Sequence, residues 1–214
     1  MNRFTRLTVG MLCAGIFAAG CASQPQLNGV TRTSPLNVSA VSLPDVTDPA
    51  RRGGGVVEQD RLTFRAAEGR FLAVYFGFLQ CPDICPTTLM DLKVALDRVD
   101  AHVADRIDVV FVTVDPERDT NDELDAYLPF FFSRFHALRS DGPALQQTLD
   151  AFLASAEVQR DVAGNVVDVA HTAVLYLVDE RGEVVVEWPF GTRAQMIADD
   201  LSAISEAVLA GVMP

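Results

Sequence analysis

Residues 71–86 read FLAVYFGFLQCPDICP, and they predict a strand, a short loop and the beginning of a helix. The first eight residues form a nearly continuous apolar run, which is typical of a central strand buried on both faces. Pro86 suits the first position of the helix that follows. A proline favours an extended conformation in the residue before it. Cys81 and Cys85 each directly precede a proline, so we expect both on the loop between strand and helix.

The segments on either side complete an α/β pattern. Residues 107–114 form a second buried strand, and a final amphipathic helix covers residues 194–209. We expect an added N-terminal hairpin across residues 56–64 and a hairpin insertion before His171. The order of these elements predicts a thioredoxin-like fold, in which helices flank a central mixed sheet. Chemistry in such sheets lies beyond the carboxyl ends of the central strands, which is where Cys81 falls.

The N-terminal residues predict an export signal. Arg3 and Arg6 precede an apolar run over residues 7–19 that is too short to cross a bilayer comfortably. The sequence around Cys21 resembles a bacterial lipobox, so residues 1–21 predict a signal peptide and Cys21 a lipidated anchor; ordinary cleavage and secretion is the alternative. We therefore expect a membrane-anchored lipoprotein on the periplasmic side of a bacterial cell envelope.

Composition divides the rest of the chain into two parts. Residues 22–55 are rich in polar residues and lack an apolar period, which predicts a flexible linker. Residues 56–214 are then the folded domain; 49% hydrophobic residues overall support a packed core. The net charge of -12 argues against nucleic acid or an anionic membrane surface as a partner.

Export determines how the cysteines are interpreted. Cys13 leaves with the signal peptide and Cys21 is the predicted anchor, so the mature domain holds only Cys81 and Cys85, in an oxidising compartment. A disulfide between them would close a small ring and stabilise the fold by only about 2 kcal/mol, which makes a purely structural bond the weaker hypothesis. A helix N-terminus favours the thiolate of Cys85, as metal binding and disulfide exchange both require.

Three histidines could add a nitrogen ligand. His102 lies among polar residues near a helix end and His136 in a short apolar stretch, so we interpret the first as a surface residue and the second as packing. His171 enters the strand that lies against the cysteine loop in a thioredoxin-like sheet. Two thiolates and one imidazole suit copper as Cu(I) or Cu(II). The alternative is a buried histidine bonded only to backbone.

The chain resembles the Sco/SenC family of copper proteins in three separated blocks: residues 75–77 with 81–89, residues 114–120, and residues 171–173 leading into 176–179. The resemblance implies that Cys81, Cys85 and His171 are copper ligands. It also implies delivery of copper to the copper-site subunit of cytochrome c oxidase, or reduction of that subunit's thiols. Gln80 stands where the family often has histidine, and Ala170 where it usually has aspartate.

Other roles for the same residues stay open. Cys81 and Cys85 could form a redox-active disulfide in a thiol-disulfide reductase, or the site could serve a redox- or copper-responsive signalling protein. Other copper chaperones and thiol reductants are further candidate partners. Asp83 and Asp115 are candidates for contacts around the metal or with a partner. Residues 115–120 also have a purely architectural interpretation, since Thr120 and Glu123 predict a helix capping box.

Overall fold

A computed structural model describes residues 25–211 of the chain. The predicted signal peptide and Cys21 lie outside the described residues. Within residues 25–211, no helix combines the length and the apolar character needed to cross a membrane.

A five-stranded mixed sheet forms the centre of the domain. Its spatial order is β10 (Val184–Pro189), β9 (Val174–Val178), β4 (Phe71–Gly77), β5 (Ile107–Thr113) and β6 (His136–Leu138). Strands β4, β5 and β6 are parallel, β9 is antiparallel to β4, and β10 is antiparallel to β9. All seven residues of β4 are buried, as the apolar run predicts.

Within residues 25–211, five α-helices accompany this sheet. The longest two pack against each other, and both bury one apolar face, which is why their sequences show an amphipathic period. Phe152, at the end of the fourth helix, packs edge to face on Phe76 of β4 at 5.2 Å between ring centroids. The helices are α1 (Ile84–Arg98), α2 (Ala101–Ala104), α3 (Asn121–Tyr127), α4 (Gly142–Ala151) and α5 (Ala194–Leu209).

Both predicted hairpins are present. β2 (Val57–Glu58) pairs antiparallel with β3 (Arg61–Thr63), and β1 (Ser42–Pro44) joins them in a three-stranded sheet. β7 (Ala156–Arg160) pairs antiparallel with β8 (Val166–His171), which forms the insertion before β9. β8 ends at His171, so the insertion delivers this side chain to the edge of the central sheet.

The predicted flexible linker over residues 22–55 is wrong for its described part, residues 25–55. Val38 and Leu43 are fully buried, and Val30 forms a bridge to Glu187 of β10. The carboxylate of Asp200 accepts hydrogen bonds from the amides of Asn28 and Gly29, at 2.7 and 2.9 Å. Single apolar residues spaced irregularly can fill gaps in a surface without producing a period, so composition alone did not reveal this packing.

Candidate metal centre

Cys81 and Cys85 lie where β4 gives way to α1. The amide of Cys81 donates to the Phe78 carbonyl at 3.3 Å, which closes the turn after the strand. The amide of Cys85 donates to the Cys81 sulfur at 3.2 Å. Cys81 is half-buried and Cys85 fully buried, so the pair presents one accessible and one protected sulfur.

The predicted position of Cys85 on a loop is wrong. α1 begins at Ile84, so Cys85 occupies its first turn and Pro86 the turn's third residue. Proline is tolerated there because the first amides of a helix have no partner within the helix. The pKa of the Cys85 thiol is raised to about 12. Burial is the largest cause of this increase, and the hydrogen bond with Cys81 is the second largest. The expected stabilisation of the Cys85 thiolate by the helix N-terminus is therefore outweighed by desolvation.

The sheet topology brings His171 to the cysteines. β9 runs antiparallel to β4, with Tyr75 opposite Leu175. The start of β9 therefore lies beside the carboxyl end of β4, and His171 precedes that start by three residues. Residues separated by about 90 positions in the chain meet because of this pairing.

The ring of His171 is held in a defined orientation. Its Nδ1 donates to the Thr172 carbonyl at 3.2 Å, which leaves Nε2 as the acceptor nitrogen, 3.5 Å from the Cys85 sulfur. Tyr75 and Phe78 contact the ring edge to face, at centroid distances of 6.1 and 5.8 Å. Burial lowers the pKa of His171, against the opposing effect of the bond to Thr172. The neutral imidazole needed by a metal ligand is thus favoured.

The three predicted donors converge. One ligand atom from each of Cys81, Cys85 and His171 lies within 4.8 Å of the other two. Two bonds of about 2.3 Å to one ion separate their donors by at most about 4.6 Å, so a slight contraction suffices to enclose a metal. The set of two sulfurs and one nitrogen suits a soft transition-metal ion, Cu(I) above all. Both cysteines are free thiols here, and the Cys81–Cys85 disulfide stays a prediction.

Neither of the two predicted aspartates belongs to the group of converging donors. Asp83 is exposed, and its carboxylate accepts from the Thr87 hydroxyl at 3.3 Å. Asp115 is buried and pairs with Arg118, whose Nη1 in turn donates to the Gln80 side chain at 2.9 Å. Asp115 thus reaches the residue before Cys81 only through Arg118.

Sequence analysis missed Asp119. Its buried carboxylate accepts from the amide of Leu79, two residues before Cys81, at 3.1 and 3.3 Å. The only signal in the sequence was its place in the block of residues 114–120, for which an architectural role was equally open. The predicted capping box of Thr120 and Glu123 is confirmed within that block.

The other two histidines take the positions predicted for them. His102 is exposed. His136 is fully buried, and its Nδ1 lies 2.8 Å from a carboxylate oxygen of Asp45. Neither belongs to the group of converging donors.

Comparison with known proteins places these features in a family. A family model described as SCO1/SenC matches residues 57–206. A SCO2-like protein of Rickettsia conorii is 32% identical over 133 residues, 62% of each chain, so this chain spans less than two thirds of that relative. The structure of ScoI from Bradyrhizobium japonicum with copper bound is 25% identical, with a TM-score of 0.60 over 79% of this chain and 96% of that one.

A further solved structure supports the fold class. It is the structure of BsSco, described as a member of the Sco family of cytochrome c oxidase assembly proteins in which a disulfide switch was identified. It matches with a TM-score of 0.55 at 18% identity, over 81% of this chain and 96% of that one. The predicted α/β, thioredoxin-like fold is confirmed by these likenesses.

Proposed function

This chain belongs to the SCO1/SenC family, and from that premise we propose that it is a copper metallochaperone. It binds one copper ion through Cys81, Cys85 and His171 and passes it to the copper-site subunit of cytochrome c oxidase. The observation that carries the proposal is the convergence of these three donor atoms within 4.8 Å. Copper is the cargo of this reaction.

The chemistry of the donors supports transfer as well as binding. Thiolates favour Cu(I), and imidazole supports both oxidation states. Cys81 is half-buried at the surface of the site, whereas Cys85 is fully buried. An acceptor thiolate can therefore approach copper from the Cys81 side and replace the chain's ligands one at a time. The copper-bound relative and the family's description as oxidase assembly proteins point the same way.

Transfer to an oxidase also requires the right compartment. We propose export through the signal in residues 1–21 and lipidation of Cys21, which would hold the domain at the periplasmic face of a bacterial membrane. Cells grown with labelled palmitate should yield labelled protein, and Cys21→Ser should abolish the label. Equal labelling of the variant would show that Cys21 is not the anchor.

The metal proposal is tested by removing the imidazole. The reduced full chain should bind one Cu(I) in competition with a chromophoric chelator, and His171→Ala should weaken binding by more than about 100-fold, because a direct ligand contributes more than an outer contact. His102→Ala is the matched control, since that histidine is exposed and outside the site. Copper binding that survives His171→Ala unchanged would remove the imidazole from the centre.

A second function is favoured by the asymmetry of the two thiols. The accessible Cys81 thiolate could attack a disulfide between the acceptor's copper-ligand cysteines, forming a mixed disulfide and releasing one acceptor thiolate. Cys85 would then give its proton to the acceptor thiolate already released and attack the Cys81 sulfur, which releases the second acceptor thiolate. The pair ends as a disulfide and the acceptor gains two electrons. His171→Ala should keep this exchange and Cys81→Ser should abolish it, so one variant separates the two functions.

A further inference from the structure

We propose that Asp119 is a positioning residue for the thiol centre: its carboxylate fixes the backbone directly before Cys81 and thereby sets where the Cys81 sulfur lies. The proposal rests on the proposed function, because it concerns the same site. The hydrogen bonds of the Asp119 carboxylate go to Leu79 and Thr113 and to neither sulfur; it acts through the Leu79 amide, two residues before Cys81.

The contacts of Asp119 define one end of the cysteine turn. The Leu79 amide donates to both carboxylate oxygens, at 3.1 and 3.3 Å, and the Thr113 hydroxyl donates to Oδ2 at 2.5 Å. Thr113 ends β5, next to β4. The turn that follows closes through the Cys81 amide and the Phe78 carbonyl. The peptide between Phe78 and Leu79 is thus held at both its amide and its carbonyl, and it ties the turn that carries Cys81 to the sheet.

The environment of Asp119 is unusual for a purely structural carboxylate. Only 1% of the residue is exposed, and among the residues that the structure describes no basic side chain lies within ion-pair distance of it. Burial raises its pKa, against the hydrogen bonds from Thr113 and Leu79. A buried carboxylate held by neutral donors costs folding free energy. At this position, both oxygens of the Asp119 carboxylate accept a hydrogen bond from the backbone before Cys81.

The loop that carries Asp119 is itself held by hydrogen bonds, and it makes a second contact with the cysteine turn. Arg139 donates to the Asp119 and Pro116 carbonyls, at 2.8 and 3.1 Å through Nε. Arg118, paired with Asp115, donates to the Gln80 side chain at 2.9 Å. The two residues before Cys81 are therefore held from the same loop. The Asp119 contact is the buried one, so it has the stronger influence on position.

The test compares two buried carboxylates at opposite ends of β5. In the reduced full chain, Asp119→Ala should weaken Cu(I) binding about 10- to 100-fold, as loss of an outer contact does in other metal sites, and shift the sulfur-to-Cu(II) absorption band. Asp119→Asn keeps an acceptor for the Leu79 amide and should retain the band. Asp108→Ala, which removes a carboxylate paired with Arg70, should lower stability and leave the band in place.

Several results would overturn the proposal. One is an unshifted band with wild-type affinity in Asp119→Ala; another is an equal shift in Asp108→Ala, which would make the effect one of general stability. Should Asp119→Ala not fold, Asp119→Glu displaces the carboxylate by one methylene and must shift the band to sustain the claim.

A readout without copper separates this proposal from the proposed function. The alkylation rate of Cys81 by iodoacetamide should change in Asp119→Ala and stay at the wild-type value in Asp108→Ala. If the wild-type chain binds no copper, the metallochaperone function fails, and the alkylation rates alone decide the positioning role. Equal rates in all three proteins would refute it.

Discussion

The two ends of the central sheet differ in the partners of their buried polar groups. At the amino end of β5, the carboxylate of Asp108 is paired with Arg70 by two bonds, at 2.6 and 2.7 Å. Close by, the imidazole of His136 lies 2.8 Å from Asp45, a carboxylate that Arg52 also approaches at 3.3 Å. Each buried carboxylate at this end faces a basic side chain.

At the carboxyl end, Asp115 also pairs with a basic side chain, Arg118, but the buried groups that contact the cysteine turn have neutral partners. Asp119 accepts from an amide and a hydroxyl, and Cys85 and His171 face each other as a thiol and an imidazole, 3.5 Å apart. In a buried ion pair, the charges and hydrogen-bonding groups of both side chains are already paired, so neither side chain is available to bind a ligand. The ion pairs of the amino end therefore serve stability, and under the proposed function the side chains of Cys85 and His171 at the carboxyl end stay available to copper.

Removing the contact between His136 and Asp45 at the amino end of the sheet should have the largest effect on the free energy of unfolding. His136→Ala removes a fully buried ring and leaves Asp45 with a weaker set of partners, so the free energy of unfolding should fall by about 3 kcal/mol. Copper bound per folded chain should not change. Urea denaturation with His102→Ala as the exposed control measures the first, and chelator competition the second.

A stability loss below about 1 kcal/mol in His136→Ala would mean that Arg52 alone satisfies Asp45. A loss of copper binding in the folded variant would show that the two ends are coupled, and the contrast between them would then fail.

The second prediction uses pH to compare Asp45 with Asp119. Burial favours a higher pKa for Asp45, but its hydrogen bond with His136, the charge of His136 and bonds from Thr47 outweigh it and lower the pKa. Asp45 therefore contributes stability that is full above the unfolded pKa of about 3.9 and is lost as the pH falls through its folded pKa. Burial raises the pKa of Asp119. Its contribution is full below about pH 3.9 and is lost as the pH rises through its folded pKa.

The corresponding asparagine variants should thus change the pH profile in opposite directions. Asp45→Asn should reduce the fall in the free energy of unfolding that occurs as the pH is lowered. Asp119→Asn should reduce the fall in the free energy of unfolding that occurs as the pH is raised from the acid range. Each change is at most about 1.4 kcal/mol per pH unit, the limit for one proton. Urea denaturation across the acid range measures both; profiles that change in the same direction would contradict the comparison.

The strands and helices that position the site could be predicted because their signals are local. The apolar run of residues 71–78 matches β4, and the amphipathic period over residues 194–209 matches α5 to the residue. His171 could be chosen among three histidines only by assuming the fold, since sheet pairing brings it to the cysteines.

Features that depend on burial escaped prediction. The segment of residues 25–55 packs through isolated side chains such as Val38 and Leu43, which leave no period in the sequence. The pKa of Cys85 depends on how completely the fold encloses the thiol, and local helix position gave the wrong sign. Asp119 is one acidic residue among 29, and its role follows only from the amide it meets.

The smallest predicted effect concerns the helix that begins directly after Asp119. The Thr120 hydroxyl accepts from the Glu123 amide at 3.3 Å, and the Glu123 carboxylate accepts from the Thr120 amide at 3.0 Å. Thr120→Ala should cost about 1 kcal/mol in urea denaturation, and Thr120→Ser, which keeps the capping oxygen, should cost much less. Copper affinity should stay at the wild-type value, because the bond from Leu79 to Asp119 is untouched. If Thr120→Ala weakens copper binding as much as Asp119→Ala, the stability of the whole loop positions Cys81, and the carboxyl end would depend on ordinary structural contacts just as the amino end does.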